Sequence, residues 1–212
     1  MKSTGRTGSP LTIAVAHSKG GVGKSTTAVI VAKFLARHHR VALKDYDVSQ
    51  HLTQLFTRLA PNGRSLTRRL WLHEGADPPA ADVVLIDAEP ARGPQTRQAL
   101  IEADYVLIPA PPEFMAVTAM EQMLATVEDV RARGNPYLTV LGVLPTMYTK
   151  TWPEHNAFLQ QMREVCEAQR VRLFPPIPRR QSYLYLSMGG GDYQPVAEAI
   201  EHVLEDRMTD AA

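Results

Sequence analysis

Residues 17–26 read His17-Ser-Lys-Gly-Gly-Val-Gly-Lys-Ser-Thr26, and this decapeptide leaves the chain little choice of fold. Gly20, Gly21 and Gly23 let the backbone curl with its N–H groups inward, a concave anion cradle that Cβ atoms would obstruct. Such a loop needs a strand before it and a helix after it. Both are written here: Leu11 to His17 is a short apolar run, and Ala28, Val29, Ala32 and Leu35 recur at helical spacing. A helix opening near Gly23 points the positive end of its dipole at a bound phosphate. Lys24 is then placed to bridge terminal phosphates, and the Ser25 hydroxyl suits a Mg²⁺ ion. A departure stands five residues before Gly23, where Ser18 replaces the first glycine of the general pattern and an extra lysine, Lys19, precedes the paired glycines.

The rest of the chain alternates in the same way. Val41 to Leu43 reads as a strand ending in Asp45-Tyr-Asp47, and Val83 to Ile86 as a strand ending in Asp87. Tyr105 to Ile108 and Thr139 to Leu144 are two more, each followed by proline at the strand exit, and helices are expected over 114–132, 153–169 and 193–208. Strands alternating with helices predict an α/β fold: a mostly parallel twisted sheet flanked by helices on both faces. Its ligand belongs at the C-terminal strand edge, where the glycine loop, Asp45, Asp47 and Asp87 all fall. A carboxylate at Asp87 can hold a water on Mg²⁺, and Asp45 and Asp47, two residues apart, start in the same direction. The proline-rich stretches 110–112 and 174–178 interrupt this pattern without dividing it. One domain over 11–208 is expected, with flexible tails at 1–10 and 209–212.

Composition narrows the function. Lys and Arg number 23 against 22 Asp and Glu, so nucleic-acid binding would need a local basic patch. One cysteine, Cys166, excludes a disulfide framework, a cysteine-rich zinc site and a cysteine-ligated iron–sulfur cluster within one chain. Its neighbours Phe158, Leu159, Met162 and Val165 at helical spacing make it core filler. No run of eighteen apolar residues occurs, and the Lys/Ser/Thr/Gly/Arg-rich start is no signal peptide, so a cytoplasmic protein is expected.

At this point the residues resemble the ParA/MinD family of P-loop ATPases with a deviant Walker A motif. The match runs through Lys19-Gly-Gly-Val-Gly-Lys-Ser-Thr26, Asp45-Tyr-Asp47 with Leu52-Thr53, and Val83 to Pro90. It continues through Leu107-Ile-Pro109 with Pro112-Glu113, Gly142 with Thr146-Met-Tyr148, and Ile177-Pro-Arg179 leading to Gly189–Gly191. The resemblance implies a homodimer that sandwiches two ATP molecules with Mg²⁺. Lys19 would reach the partner's phosphates, Lys24 would serve its own, and Asp47 would orient the attacking water. Nucleotide contacts would come from Gly20, Gly21, Val22, Gly23, Ser25 and Thr26, with Thr146, Pro178 and Arg179 near the purine. Ser25, Asp45 and Asp87 would form the metal neighbourhood. A ParB-like or cargo-adaptor protein would stimulate slow hydrolysis. The chain departs from the family pattern at Val48-Ser49 after Asp47, at Asp87-Ala-Glu-Pro90, and at Tyr185-Leu-Ser-Met188, which disfavours a housekeeping chromosome-segregation role.

Partner surfaces separate the possible jobs. The C-terminal helix carries Val196, Ile200, Val203 and Leu204 on one face and acids elsewhere, which argues for packing on the sheet and against membrane cycling of the MinD type. Basic residues occur at Arg58, Arg64, Arg68 and Arg69, and at Arg170, Arg172, Arg179 and Arg180; the second group is the candidate contact to nonspecific double-stranded DNA. The expected function is thus a ParA-like ATPase, nucleoid-associated when ATP-bound, that positions plasmid, chromosome or other large cargo. A metabolic ATP-dependent amide ligase on the same loop is the contrasting class.

Overall fold

In a computed structural model of the chain, residues 9–60, 65–75, 80–90, 93–185 and 191–209 are described. The strands are β1 (Leu11–Val15), β2 (Val41–Asp45), β3 (Ser65–Thr67), β4 (Leu70–Leu72), β5 (Val83–Asp87), β6 (Tyr105–Ala110) and β7 (Thr139–Pro145). The helices are α1 (Lys24–Leu35), α2 (His51–Leu59), α3 (Pro94–Glu102), α4 (Phe114–Arg133), α5 (Pro153–Ala168) and α6 (Gln194–Thr209). The strands form one sheet in the order β3-β4-β2-β5-β1-β6-β7, parallel throughout except for the β3–β4 hairpin.

Because helices cover both faces, the central strands are apolar on both sides rather than alternating. Successive residues divide between two cores. Ile13, Val15, Leu43, Leu85 and Leu107 pack with α1, α2 and α6. Ala14, Ala42, Val84, Ile86, Val106 and Ile108 pack with α3, α4 and α5. Cys166 is buried in the second core beside Met162, as its helical spacing predicts. The stripe of α6 is covered as well: Val196 and Ile200 are fully buried, Val203 and Leu204 pack against the first core, and α6 lies alongside α1 over that face of the sheet. No described helix is long and apolar enough to cross a membrane.

The three expected helices appear with ends shifted by one residue, and the five expected strands appear with small extensions or trims. Four elements escaped the sequence reading. β3 and β4 have only three residues each, too few to show a period. α2 begins at a left-handed Gln50 with no apolar run before it, and α3 buries only Thr96, Ala99 and Leu100. Of the expected tails, residues 1–8 and 210–212 lie outside the described residues, as do Arg64 and the stretch 186–190; Thr209 is the last residue of α6.

A close approach fixes the far edge. Segment 171–178 runs beside β7 through parallel bridges Val143–Leu173 and Tyr148–Pro178. A Cβ on Gly142 would come within 2.6 Å of the Phe174 ring and 2.9 Å of the Arg172 carbonyl oxygen. Gly142→Ala is therefore expected to destabilise the fold by about 2 kcal/mol through overpacking. In thermal denaturation that is a melting point roughly 6 °C lower; an unchanged one would mean the segment yields freely.

Candidate functional site

The sheet order places β1 between β5 and β6, so the chain leaves β1 toward β2 on one side and later returns to β6 on the other. Ligands of open α/β sheets sit in the crevice at such a reversal. Register brings the acids to that point: Asp87 ends β5 directly beside Val15 of β1 and Asp45 of β2. The glycine loop leaves β1 there. Gly21 and Gly23 hold φ of 73° and 93°, left-handed values that the loop's inward curl requires and that glycine alone adopts without strain. Gly23 then serves as N-cap of α1, with no side chain competing for its first N–H groups.

Lys24 is 6% exposed, and its ammonium donates to the Lys19 carbonyl oxygen at 3.3 Å. Burial lowers its pKa, while the Asp87 and Asp47 carboxylates act to keep it charged. Asp87 is buried with both oxygens lacking a hydrogen-bond partner. Burial pushes its carboxyl up to about 7; the adjacent Ser25 hydroxyl and Lys24 pull the other way without satisfying either oxygen, and Asp45 and Asp47 add to the rise. A buried carboxyl with two orphaned oxygens, beside a serine hydroxyl at a phosphate cradle, fits a Mg²⁺ neighbourhood. Among the described residues no group of three or more His, Cys, Asp or Glu is set to hold a metal, so such an ion would lean on Ser25, Asp87 and the nucleotide's own oxygens.

Asp45, beside Asp87 in the register, also holds a helix. Its Oδ2 accepts from the backbone N–H and the hydroxyl of Thr53, both at 2.8 Å, and its Oδ1 accepts from the Asp47 N–H at 3.1 Å. It secures the first turn of α2, whose N–H groups need an acceptor. Asp47 is 6% exposed, its Oδ1 accepting from the Ser49 N–H at 2.8 Å.

Two residues without a sequence-based role seat the loop. His17 is fully buried; the Lys19 N–H donates to its Nδ1 at 3.0 Å, so its Nε2–H donates to the Ala116 carbonyl oxygen at 3.2 Å. Burial pushes the imidazole down to about 4, which keeps it neutral and preserves that tautomer. Ser18, standing where a glycine is usual, donates to the Ala119 carbonyl oxygen at 3.4 Å. The loop is thereby tied to α4. Lys19 points the same way, its ammonium 3.5 Å from Glu113 at the N-cap of α4. The sequence signal for His17 was faint: one polar residue closing an apolar run.

The loop after β7 closes the other flank. The Thr146 hydroxyl donates to the Val22 carbonyl oxygen at 2.8 Å, and Met147, left-handed at φ 54°, brings its methyl near Gly23. The Arg179 N–H donates to the Tyr148 carbonyl oxygen at 2.9 Å. Thr146 thus lies against the glycine loop, while Pro178 and Arg179 are joined to Tyr148, two residues on.

Against this geometry, residues 13–188 match the model of the CobQ/CobB/MinD/ParA nucleotide binding domain. The chain belongs to this family. Among its relatives, the chromosome-partitioning ATPase Soj of Thermus thermophilus is 34% identical over 64% of this chain and 69% of its own length. The chromosome partitioning protein ParA of Myxococcus xanthus is 29% identical over 77% and 74%. Solved structures agree on the fold. A complex of a Cyanothece McdA variant with ATP superposes with a TM-score of 0.74 at 22% identity, covering 94% of this chain and 97% of that one. Cobyrinic acid a,c-diamide synthase of Mycobacterium smegmatis, with bound ADP and magnesium, does so at 0.71 and 27%, covering 90% and 94%. Nucleotide binding in the family and the location of the glycine loop agree.

In this ParA/MinD-family fold the arginines singled out for DNA do not form one cluster. Arg170 and Arg172 sit where α5 turns into segment 171–178, and Arg179 and Arg180 at its other end, roughly 20 Å away along an extended chain. The Arg172 guanidinium lies 4.7 Å over the Phe174 ring, and Arg180 pairs with Asp192 at 3.0 Å.

Proposed function

We propose that this chain is a ParA-like ATPase whose nucleotide state governs its pairing with a second copy. ATP assembles a homodimer that holds nonspecific double-stranded DNA and carries plasmid, chromosome or other large cargo. A ParB-like or cargo-adaptor protein accelerates a slow hydrolysis that releases the DNA, so the protein is cytoplasmic and nucleoid-associated only when ATP-bound. The observation that carries this reading is the direction of Lys19. Its ammonium lies outside its own cradle, partly exposed and held by Glu113, whereas Lys24 is buried inside it. A cation beside the cradle but outside it is positioned to serve phosphates presented by a partner.

The residues divide the work. The N–H groups from Gly20 to Thr26 and the α1 terminus hold the phosphates, and Lys24 neutralises their terminal charge. Ser25, with the Asp87 carboxyl behind it, would hold a Mg²⁺ ion, which would supply further neutralisation of phosphate charge. Asp47, beside Lys24, accepts a hydrogen bond from the attacking water and orients it. Exposed Phe114 and Met115 at the start of α4, next to Lys19, give a dimer apolar surface to cover.

The test is retention of DNA in a gel shift with ATP, with ADP and without nucleotide, across salt concentrations. Binding is expected with ATP alone, falling steeply with salt, and Lys19→Ala is expected to lose it together with ATP-dependent dimerisation. DNA retention indifferent to nucleotide, or to Lys19, would refute the switch. Similarity to the diamide synthase favours a second reading, an ATP-dependent amide ligase; turnover that required an amide donor and a carboxylate substrate would establish it.

A further inference from the structure

The chain from Asp45 to Thr53 folds back on itself at the site. Asp47 makes a tight turn, its carbonyl oxygen accepting from the Gln50 N–H at 2.8 Å and its Oδ1 from the Ser49 N–H. Gln50 is left-handed at φ 50°, which swings the first residue of α2 back over the turn. That residue is His51, and its Nδ1 comes to 3.4 Å from Oδ2 of Asp47. The two partners differ in surroundings: the His51 side chain is 65% exposed and that of Asp47 only 6%. A surface imidazole thus touches a buried carboxylate at the oxygen that the backbone turn does not hold.

We propose that His51 is a positioning residue for the hydrolysis reaction, steadying Oδ2 of Asp47 so that the carboxylate meets the attacking water in one orientation. This rests on the reading of Asp47 as the residue that orients that water. A carboxylate has one soft torsion about its last carbon–carbon bond, and Ser49 restrains it through both its N–H and its hydroxyl. A donor on Oδ2 from a separate element, the first residue of α2, narrows that torsion further, and misplacement of a catalytic group by about 1 Å can lower turnover by ~10²-fold. The imidazole does not touch the reacting atoms, so its action passes through Asp47. Asp45 stiffens the platform from behind: by holding the N–H and hydroxyl of Thr53 it fixes the turn of α2 that carries His51.

The experiment is steady-state ATP hydrolysis with Mg²⁺ by the full chain, alongside binding of a fluorescent ATP analogue. His51→Ala is expected to lower kcat about tenfold while KM and analogue affinity stay within about twofold. His51→Asn, whose amide nitrogen can stand near the place of Nδ1, is expected to restore most of that turnover. The exposed position makes both variants compatible with folding, and circular dichroism checks it. If Asp47→Ala abolishes hydrolysis while His51→Ala turns over like the parent, the positioning role is overturned and the reading of Asp47 stands. If His51→Asn is as slow as His51→Ala, or if the loss appears in KM, the role is likewise overturned. Undiminished hydrolysis by Asp47→Ala would overturn the reading of Asp47 and this inference with it.

Discussion

Lys24→Ala is expected to reduce ATP hydrolysis by ~10²–10³-fold, the scale of losing one preorganised electrostatic contact to a charge-developing group. The physical reason is its enclosure. At 6% exposure the ammonium has little water around it, its bond to the Lys19 carbonyl oxygen holds it inside the loop, and the carboxylates of Asp87 and Asp47 keep it charged against burial. Removing it leaves a triphosphate facing two carboxylates across a low-dielectric cleft, so affinity falls along with turnover. Lys24→Arg is expected to recover little, because the larger planar group does not fit the space of a compact point charge. Isothermal titration with ATP and a phosphate-release assay measure the two losses. Parent-like hydrolysis in Lys24→Ala would rule out the glycine loop as the site of chemistry.

The second large effect concerns stability. Asp87 titrates at about 7 in the folded chain against 3.8 for an ordinary aspartate, because burial penalises its charge. Between those values the folded form keeps the proton and the unfolded form has lost it, so unfolding releases a proton and stability falls as pH rises. The stabilisation is fully present below about 4 and is gone above about 7, a swing of order 4 kcal/mol. Asp87→Asn, measured without metal or nucleotide by denaturant unfolding across this range, is expected to lack that fall and to be more stable than the parent at about pH 8. The low-pKa carboxylates, Asp47, Asp82 and Glu102 among them, lose their contribution on the acid side instead. The difference between variant and parent isolates Asp87. A variant less stable than the parent under those alkaline conditions would contradict the prediction. The same substitution is expected to lower Mg²⁺-dependent hydrolysis, so function is retained against stability at this residue.

What the sequence made legible was local and periodic. The loop from Lys19 to Thr26 carries its own geometry, and long runs such as 114–133 or 83–87 carry their period. The placement of Lys24, Ser25 and Asp87 around the ends of β1 and β5 was legible in the same way. The hold of Asp45 on Thr53 was not read, because α2 went unrecognised although Leu52, Leu55, Phe56 and Leu59 recur at helical spacing. His51 was within reach, four residues after Asp47, had the start of α2 been recognised. His17 and Glu113 were not: their partners lie in elements joined only by the sheet order. The four arginines looked like one group because spacing along a chain says nothing about whether the intervening residues are extended.

The bond between His17 and Ala116 has a mechanical meaning. α4 has 20 residues, hence is ~30 Å long, and runs from the glycine loop to the opposite rim of the sheet. There Asn135 grips the Ala103 carbonyl oxygen at 2.7 Å, clamping the far end at the start of β6. The helix is thereby anchored at both rims of the sheet, one end by the glycine loop and the other by the turn into β6.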